Sequence, residues 1–278
     1  MEKLGKKFAL VIRGQPYVSD AKCKYLKKLD TPQDERVDEV LWNKDSKTVY
    51  YSRTNHGWTD IYKIAADGTA PEKCVWMSRN NSKGLTPSHD ADKIAFVDGS
   101  HSLMLLDMEK DVTEKIADAE FWSYQTHAVA FSYDGSYIAF EAMHMFEPDI
   151  YVYSLKDKSL KNLTNSASTD GEMVFSPDGK YMFLLSNPIG TSYPKGTRTS
   201  LFKLPLQKYD TDFKSDVYDK LFTEDKKNAK DSTVTIDFKD VYRRMTQVER
   251  SGSQRGLYMF TSKDKALLFY SSNSNGET

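Results

Sequence analysis

The chain has 278 residues, which is enough for one large all-β domain or two ordinary domains. Apolar residues make up 39% and charged residues 28%, a composition typical of a soluble globular protein. The net charge of −1 gives no general attraction to nucleic acid or to an anionic membrane, so we expect neither as a partner.

The first predicted elements are three strands before residue 30. Gly5–Ile12 has the pattern of the second strand of a four-stranded unit, and Gln15–Ser19 and Lys24–Leu29 have those of the third and fourth. The apolar run Phe8–Ile12 is shorter than the apolar core of an export signal or a spanning helix. The sequence therefore predicts no membrane span.

Four repeats follow, and each is built around an aspartate in a tight turn. Phe131–Phe140 and Phe175–Leu184 share the pattern Phe-Ser-x-Asp-Gly, and Trp42–Tyr51 and Pro87–Phe96 fit the same template more loosely. The turn aspartates are Asp45, Asp90, Asp134 and Asp178, spaced 45, 44 and 44 residues apart. Each turn joins two strands, and a third strand and a short fourth one follow. Four short antiparallel strands in about 44 residues match one blade of a β-propeller.

The sequence therefore predicts an all-β fold, a β-propeller of four-stranded antiparallel blades. The first predicted blade lacks its first strand and the last lacks its third, so the ring has about five blades or is part of a six- or seven-bladed one. We expect a piece of a longer protein, with a five-bladed ring closed by its two ends as the alternative. The predicted domain spans residues 1–278: a partial blade 1–30, blades 37–77, 81–118, 127–165 and 169–206, and a partial blade 234–278.

A charged insertion, residues 207–232, interrupts the repeat. It holds six lysines and seven acidic residues with little periodicity, and a short helix is predicted at 215–224. A smaller insertion, Pro188–Thr199, lengthens the loop before the third strand of its blade. Loops on a rigid scaffold often carry binding function, and a tolerated surface insertion is the alternative.

No pattern in the sequence predicts catalysis by this chain. It has no GxSxG, HExxH, Walker or GxGxxG motif, so we expect no catalytic residue, metal or cofactor. Seven residues before successive turn aspartates stand the polar residues Asp38, Lys83 and His127. Because the first strand of a propeller blade faces the axis, these residues are candidates for lining a channel mouth. The alternative is that they are ordinary strand-start residues in solvent.

Four segments carry a family resemblance beyond the repeat. The repeat resembles the PD40 type of TolB-like propellers and tricorn-type proteases. Gly5–Gly14, with Tyr17–Asp20 and Leu29–Pro32, resembles the entry to the second propeller of tricorn-like serine peptidases of the S41 type. Val234–Thr246 resembles the segment that follows a charged insertion in those enzymes. These marks span nearly the whole chain.

The resemblance implies a parent serine peptidase with two N-terminal propellers, a PDZ domain and a peptidase domain. The resemblance implies that its propellers gate or recognise peptides. The implied partners are peptides, protein partners and the remaining domains of the parent protein. A homo-oligomer through the parent protein is also implied as an option. The implied location is the periplasm, with the cytoplasm as the alternative. A stand-alone TolB/WD40-like interaction propeller without enzymatic activity stays open, as does the propeller of a prolyl-oligopeptidase-type enzyme.

Overall fold

The computed structural model describes residues 7–122, 128–166, 168–187, 199–207, 233–249, 252–262 and 265–273. These residues form antiparallel sheets in two compact units, Met1–Val129 and Ala130–Thr278. None of the helices in these ranges is long and apolar enough to cross a membrane. The predicted helix at 215–224 lies outside the described residues, as do the rest of insertion 208–232, residues 188–198 and His127.

Unit 1 holds one three-stranded and two four-stranded sheets, each in the order of the sequence. Its strands are β1 Lys7–Ile12, β2 Gln15–Asp20 and β3 Leu26–Lys28; β4 Val37–Trp42, β5 Thr48–Asn55, β6 Trp58–Ala65 and β7 Lys73–Trp76; and β8 Ser82–Pro87, β9 Lys93–Asp98, β10 Ser102–Asp107 and β11 Val112–Asp118. The first three strands fall where the sequence predicts them.

Unit 2 holds two further four-stranded sheets and a two-stranded hairpin. Its strands are β12 Val129–Phe131, β13 Tyr137–His144, β14 Glu147–Ser154 and β15 Ser159–Asn162; β16 Asp170–Phe175, β17 Tyr181–Ser186, β18 Ser200–Pro205 and β19 Thr246–Gln247; and β20 Ser253–Ser262 and β21 Lys265–Asn273. A helical turn, Val241–Arg244, precedes β19. The prediction of an all-β fold is confirmed. Of the six sheets in the two units, four have the predicted four antiparallel strands.

The fourth strand of the sheet β16–β19 corrects the sequence-based division of the chain. The predicted blade 169–206 was expected to hold all its strands, but its fourth strand is Thr246–Gln247, which pairs with Phe202 and Lys203. The insertion therefore separates the third and fourth strands of one sheet. A two-residue strand has no apolar periodicity, so the sequence pattern could not reveal it.

The turn aspartates shape the hairpins between first and second strands. In the third repeat the Ser132 hydroxyl donates to Asp134 at 2.6 Å and accepts the Tyr137 N–H at 2.9 Å. Ser176 donates to Asp178 in the same way at 2.5 Å. The next residue has a positive φ in all four repeats: Ser46 (54°), Ala91 (51°), Gly135 (70°) and Gly179 (69°). These hydrogen bonds confirm that the repeat's aspartates serve turn geometry.

The cores lie between successive sheets. One cluster in unit 1 packs Val49 and Tyr51 against Ala9, Val11 and Val18 of the first sheet. The next cluster packs residues of β4–β7 against those of β8–β11, with Leu41, Tyr50, Ile61 and Trp76 on one side and Leu85, Ile94, Phe96, Met104, Leu106 and Met108 on the other. Because each sheet is apolar on both faces, it is stable only with a neighbour on each side.

Aromatic residues stand three positions before three of the turn aspartates, and they pack in the core. Phe131 is 4% exposed and Phe175 is 1% exposed. Trp42 packs against the core cluster between the first two sheets of unit 1. This position of the repeat therefore serves the core.

Candidate functional site

The candidate site lies at one edge of each sheet, which we call the connection edge. At this edge the turn between the second and third strands adjoins the segment that leads to the next sheet. In unit 1 this edge comprises residues 13–14, 29–36, 56–57, 77–81 and 99–101. The Val37 N–H donates to the Gly14 carbonyl at 2.8 Å, and the Thr54 N–H donates to the Arg36 carbonyl at 2.8 Å. Segment 29–36 is therefore held between the turns of two successive sheets.

Side chains fix this segment further. The Gln15 amide donates to the Glu35 carbonyl at 3.0 Å and accepts from the Thr31 hydroxyl at 3.2 Å. The Thr54 hydroxyl donates to the Glu35 carboxylate at 2.7 Å. A connecting segment with this many partners presents its remaining polar groups in a defined arrangement.

An open cleft of about 470 Å³ lies beside segment 29–36. Its lining includes two arginines and two acidic residues: Val11, Arg13, Gly14, Gln15, Gln33, Asp34, Glu35 and Arg36. Gly14 has a φ of 73°, and a Cβ there would lie 2.9 Å from Arg36 Cγ. Only glycine therefore allows this close approach between the β1–β2 turn and segment 29–36.

Arg13 is one of the two cations that line the cleft. It is exposed in the β1–β2 turn with a φ of 51°. Its side chain makes no hydrogen bond or ion pair with any residue in the described ranges. Arg36, in contrast, pairs with Asp38 at 2.8 Å. The cleft thus offers an unpaired guanidinium, a paired one and two carboxylates within one concave surface.

Two of the three predicted channel residues are described, and they lie on neighbouring first strands. Asp38 is the bulged residue of β4, exposed and paired with Arg36, which lines the cleft. Lys83 is the last paired residue before the bulge of β8, and burial lowers the pKa of its ammonium group. His127 lies outside the described residues. That these residues line a channel stays a prediction.

A carboxylate that the sequence analysis did not select joins these two strands. Glu39, next to Asp38, accepts the N–H groups of Gly84 at 3.1 Å and Leu85 at 3.2 Å. Burial raises the pKa of Glu39, and these two hydrogen bonds oppose the rise. We call this arrangement the bulge clamp, because the carboxylate of one first strand binds the bulged backbone of the next.

Unit 2 repeats the bulge clamp. Glu172 of β16 accepts the N–H groups of Gly256 at 2.5 Å and Leu257 at 3.0 Å on β20. Glu141 of β13 lies beside it, and a Cβ on Gly171 would be 2.5 Å from its carboxylate. Burial raises the pKa of Glu141 to about 7, although the Glu172 N–H donates to it. Glu39 and Glu172 each stand six residues before a turn aspartate. This shared spacing is a sequence signal for the clamp that the sequence analysis did not use.

Buried aspartates at the start of third strands hold the connecting segments in both units. Asp60 accepts the Ser78 N–H at 2.7 Å, and Asp149 accepts the Ser166 N–H at 3.0 Å. His144 Nδ1 lies 2.9 Å from Asp149. The repeated triplet Asp-Ile-Tyr, with a serine 17 or 18 residues later, is the sequence signal for this contact. These aspartates position the connection edge and are not available for chemistry.

The connection edge also exposes large apolar side chains. Trp58 is 48% exposed and Met77 is 71% exposed in unit 1. In unit 2, Met145 and Phe146 form the two-residue β13–β14 turn and are 84% and 89% exposed. No group of three or more potential metal-ligating side chains occurs in the part of the chain that the structure describes. The edge therefore has the features of a binding surface, with charge, apolar side chains and ordered backbone.

No protein-family model matches the sequence, and no curated protein matches it. Among solved structures, the tricorn protease aligns with a TM-score of 0.67 and 18% identity, over 91% of this chain and 25% of that chain. TolB from Acinetobacter baumannii aligns with a TM-score of 0.52 and 15% identity, over 98% of this chain and 62% of that one. A putative TolB from Agrobacterium tumefaciens aligns with a TM-score of 0.50 and 17% identity, over 73% of this chain and 74% of that one.

These comparisons show the fold alone, because every identity is below 25%. The fold is of the TolB-like propeller type that the repeats predicted. The chain spans a quarter of the tricorn protease and less than two thirds of the Acinetobacter TolB.

Proposed function

We propose that the chain is a propeller module of a tricorn-like serine peptidase that recognises or gates peptides for a catalytic domain outside this sequence. The structural alignment with the tricorn protease covers 91% of the chain. The sequence marks at Gly5–Gly14 and Val234–Thr246 support the same family. The observation that carries the peptide-binding role is the cleft beside segment 29–36.

The chemistry of the cleft suits an extended peptide. A peptide presents carbonyl oxygens, N–H groups and charged ends or side chains. Arg13 supplies free donors for a carbonyl or a carboxylate, and Asp34 supplies an acceptor for a cation. A volume of about 470 Å³ is in the range of small-ligand sites and holds a few residues of a peptide.

The proposal assigns catalysis to the remaining domains, a PDZ domain and a peptidase domain, and places the protein in the periplasm. The sequence on both sides of this segment tests that assignment. A continuous reading frame with PDZ and peptidase domains after Thr278 supports it. A stop codon directly after Thr278 contradicts it.

Peptide binding is tested with the chain itself. Fluorescently labelled peptide pools titrated with the protein should show saturable binding, and Arg13→Ala should weaken it at least about tenfold if the guanidinium is an anchor. Arg243→Ala, an exposed arginine in unit 2, is the matched control and should bind as the wild type does. An absence of binding, or equal losses in the two variants, would overturn the role of the cleft.

A stand-alone TolB-like interaction propeller is the second candidate. The alignment with the Acinetobacter TolB favours it, because it covers 98% of this chain. This function predicts a reading frame without a peptidase domain and binding of folded protein partners in preference to peptides.

A further inference from the structure

Two carboxylates in series join three sheets of unit 2. The Glu141 side chain on β13 accepts the N–H of Glu172 on β16, and the Glu172 side chain accepts the N–H groups of Gly256 and Leu257 on β20. We call this arrangement the double clamp, and it comprises Glu141, Gly171, Glu172, Gly256 and Leu257. A displacement of Glu172 changes both contacts, because its backbone serves one and its side chain serves the other.

The first of these contacts is close. One oxygen of the Glu141 carboxylate lies 2.5 Å from the position that a Cβ on Gly171 would take, so the carboxylate rests on the backbone of β16. The pairing of β16 with β17 shifts register between Gly171 and Met173, which makes Glu172 the bulged residue. The Glu141 carboxylate therefore packs directly on the bulge that orients Glu172.

The Glu172 backbone adopts a conformation that glycine adopts at the other bulges. Glu172 has a φ of 41°, and the glycines in the bulges of β8 and β20, Gly84 and Gly256, have φ values of 71° and 68°. The left-handed region is unfavourable for a residue with a large side chain. The bulge of β16 is therefore strained, and it depends on the hydrogen bonds that Glu172 makes on both sides.

No cation faces Glu141 in the part of the chain that the structure describes. Strands β12, β14 and β16 pack against β13, and β12 has no ionisable side chain. Three acidic residues of β14 and β16 have partners of their own: Glu147 with Thr169, Asp149 with His144 and Asn162, and Asp170 with Ser166. The tyrosines of β14, Tyr151 and Tyr153, are uncharged near neutral pH. The charge that acts on Glu141 is therefore that of Glu172.

The closed contact favours a protonated Glu141. Burial raises the pKa of Glu141 to about 7, and the negative charge of Glu172 adds to the rise, while the Glu172 N–H opposes it. When the contact opens and water reaches the carboxylate, its pKa returns toward the ordinary value of 4.5. The closed contact is therefore most stable at low pH and weakens as the pH rises from 4.5 through 7.

We propose that the double clamp is a pH-sensitive switch, in which release of a proton from Glu141 to solvent opens the contact of β13 with β16 and loosens the hold of Glu172 on β20. Two neighbouring carboxylates then carry like charges, and the contact opens because opening lets water solvate them. The strained backbone of Glu172 transmits the change, because it is held in place by the bond that is lost. The switch is independent of the proposed peptide binding, which uses the cleft beside segment 29–36.

Backbone-amide NMR spectra of the full chain, recorded from about pH 5 to about pH 8, test the switch. The amide protons of Glu172, Gly256 and Leu257 should move upfield together with a midpoint near 7, because each loses its bond to a carboxylate. The amide proton of Ser78, which the buried Asp60 binds in unit 1, is the internal control and should show no such transition.

Three variants assign the transition. Glu141→Gln should abolish it at all three amides, because the amide side chain cannot ionise. Glu109→Gln, exposed in the β10–β11 turn, is the matched control and should leave it unchanged. Glu172→Gln should move the midpoint to lower pH, because the charge that faces Glu141 is gone.

Three results would overturn the proposal. One is a downfield movement of the Glu172 amide proton while Gly256 and Leu257 stay unchanged, which indicates that Glu141 ionises in place without opening the contact. Another is a transition that Glu141→Gln leaves intact, which assigns it to a different group. The third is the absence of any transition at these amides across the pH range.

Discussion

At the scale of single residues, buried carboxylates tie one sheet to the next. Glu39 and Glu172 each accept two backbone N–H groups from the bulge of a neighbouring first strand. A buried N–H without an acceptor costs free energy, so the carboxylate and the bulge depend on each other. These two acidic residues therefore stabilise the contact between successive sheets.

Glu39→Ala should lower the free energy of unfolding by about 1–3 kcal/mol, because it leaves the N–H groups of Gly84 and Leu85 unsatisfied. Asp38→Asn is the matched control on the same strand, exposed and paired with the exposed Arg36, and should change the free energy by less than about 0.5 kcal/mol. Urea denaturation followed by fluorescence measures both. Equal effects of the two variants would contradict the clamp.

Glu141 gives the protein a pH dependence of known sign. Its pKa is raised from 4.5 to about 7, chiefly by burial. Between these pH values the folded protein keeps a proton that the unfolded chain has released, so stability falls as the pH rises from 4.5 through 7, by about 3 kcal/mol in all. Glu172, whose own N–H donates to Glu141, is the charge that faces it.

Thermal unfolding of Glu141→Gln measures this contribution. The variant should gain stability over the wild type as the pH rises from 5 to about 8, since it carries no charge to bury. Glu109→Gln, exposed in the β10–β11 turn, should follow the wild-type profile. A constant difference between Glu141→Gln and the wild type at all pH values would refute the ionisation argument.

The sequence pattern identified the turn aspartates but did not identify Glu39 and Glu172. A turn residue is dictated by its own backbone conformation, so its signal is local and repeats in each unit. The partner of Glu39 lies 45 residues away, and in the other clamp the partner of Glu172 lies 84 residues away. The candidates Asp38 and Lys83 each stand one residue before a member of the clamp, and the spacing that selects them takes no account of the bulges in β4 and β8.

At the scale of elements, the β13–β14 hairpin departs from the usual turn chemistry. Its two turn residues, Met145 and Phe146, have φ values of 50° and 76°. The equivalent β5–β6 turn uses His56 and Gly57. Positive φ at both positions favours Asn-Gly, and large side chains there are strained. Both side chains are exposed at the connection edge.

Replacing the pair by the preferred turn sequence should stabilise the hairpin. Met145→Asn combined with Phe146→Gly should raise the free energy of unfolding by about 1 kcal/mol, because both residues tolerate the left-handed region. Gly57→Phe in the other hairpin should lower it for the converse reason. Chemical denaturation compares the three proteins, and a loss of stability in the double variant would contradict the turn assignment.

The fourth strand of the sheet β16–β19 shows the limit of periodicity at this scale. Strands β16 to β18 are long and apolar enough to be predicted, whereas β19 has two residues and follows the insertion. Its position depends on pairing with Phe202 and Lys203, a contact more than 40 residues away in sequence. Short closing strands are fixed by the sheet they complete, so the sequence around them has little to reveal.

At the scale of the whole molecule, a single plan recurs in both units: a hairpin shaped by an aspartate, a bulged first strand and a connecting segment anchored by a buried aspartate. The regular spacing made the fold predictable, and the alignments with the tricorn protease and TolB agree with it. The cleft was not predictable, because it arises where a particular connecting segment, 29–36, meets a particular turn at Arg13 and Gly14.

Hydrogen–deuterium exchange of the full chain, with and without a saturating pool of short peptides, tests the peptide-binding role most directly. The account predicts slower exchange in residues 13–15 and 33–38, the two sides of the cleft, and unchanged exchange in strands of unit 2. Arg13→Ala should reduce that protection. Exchange that the peptides leave unchanged in both segments would contradict the proposed recognition of peptides by this module.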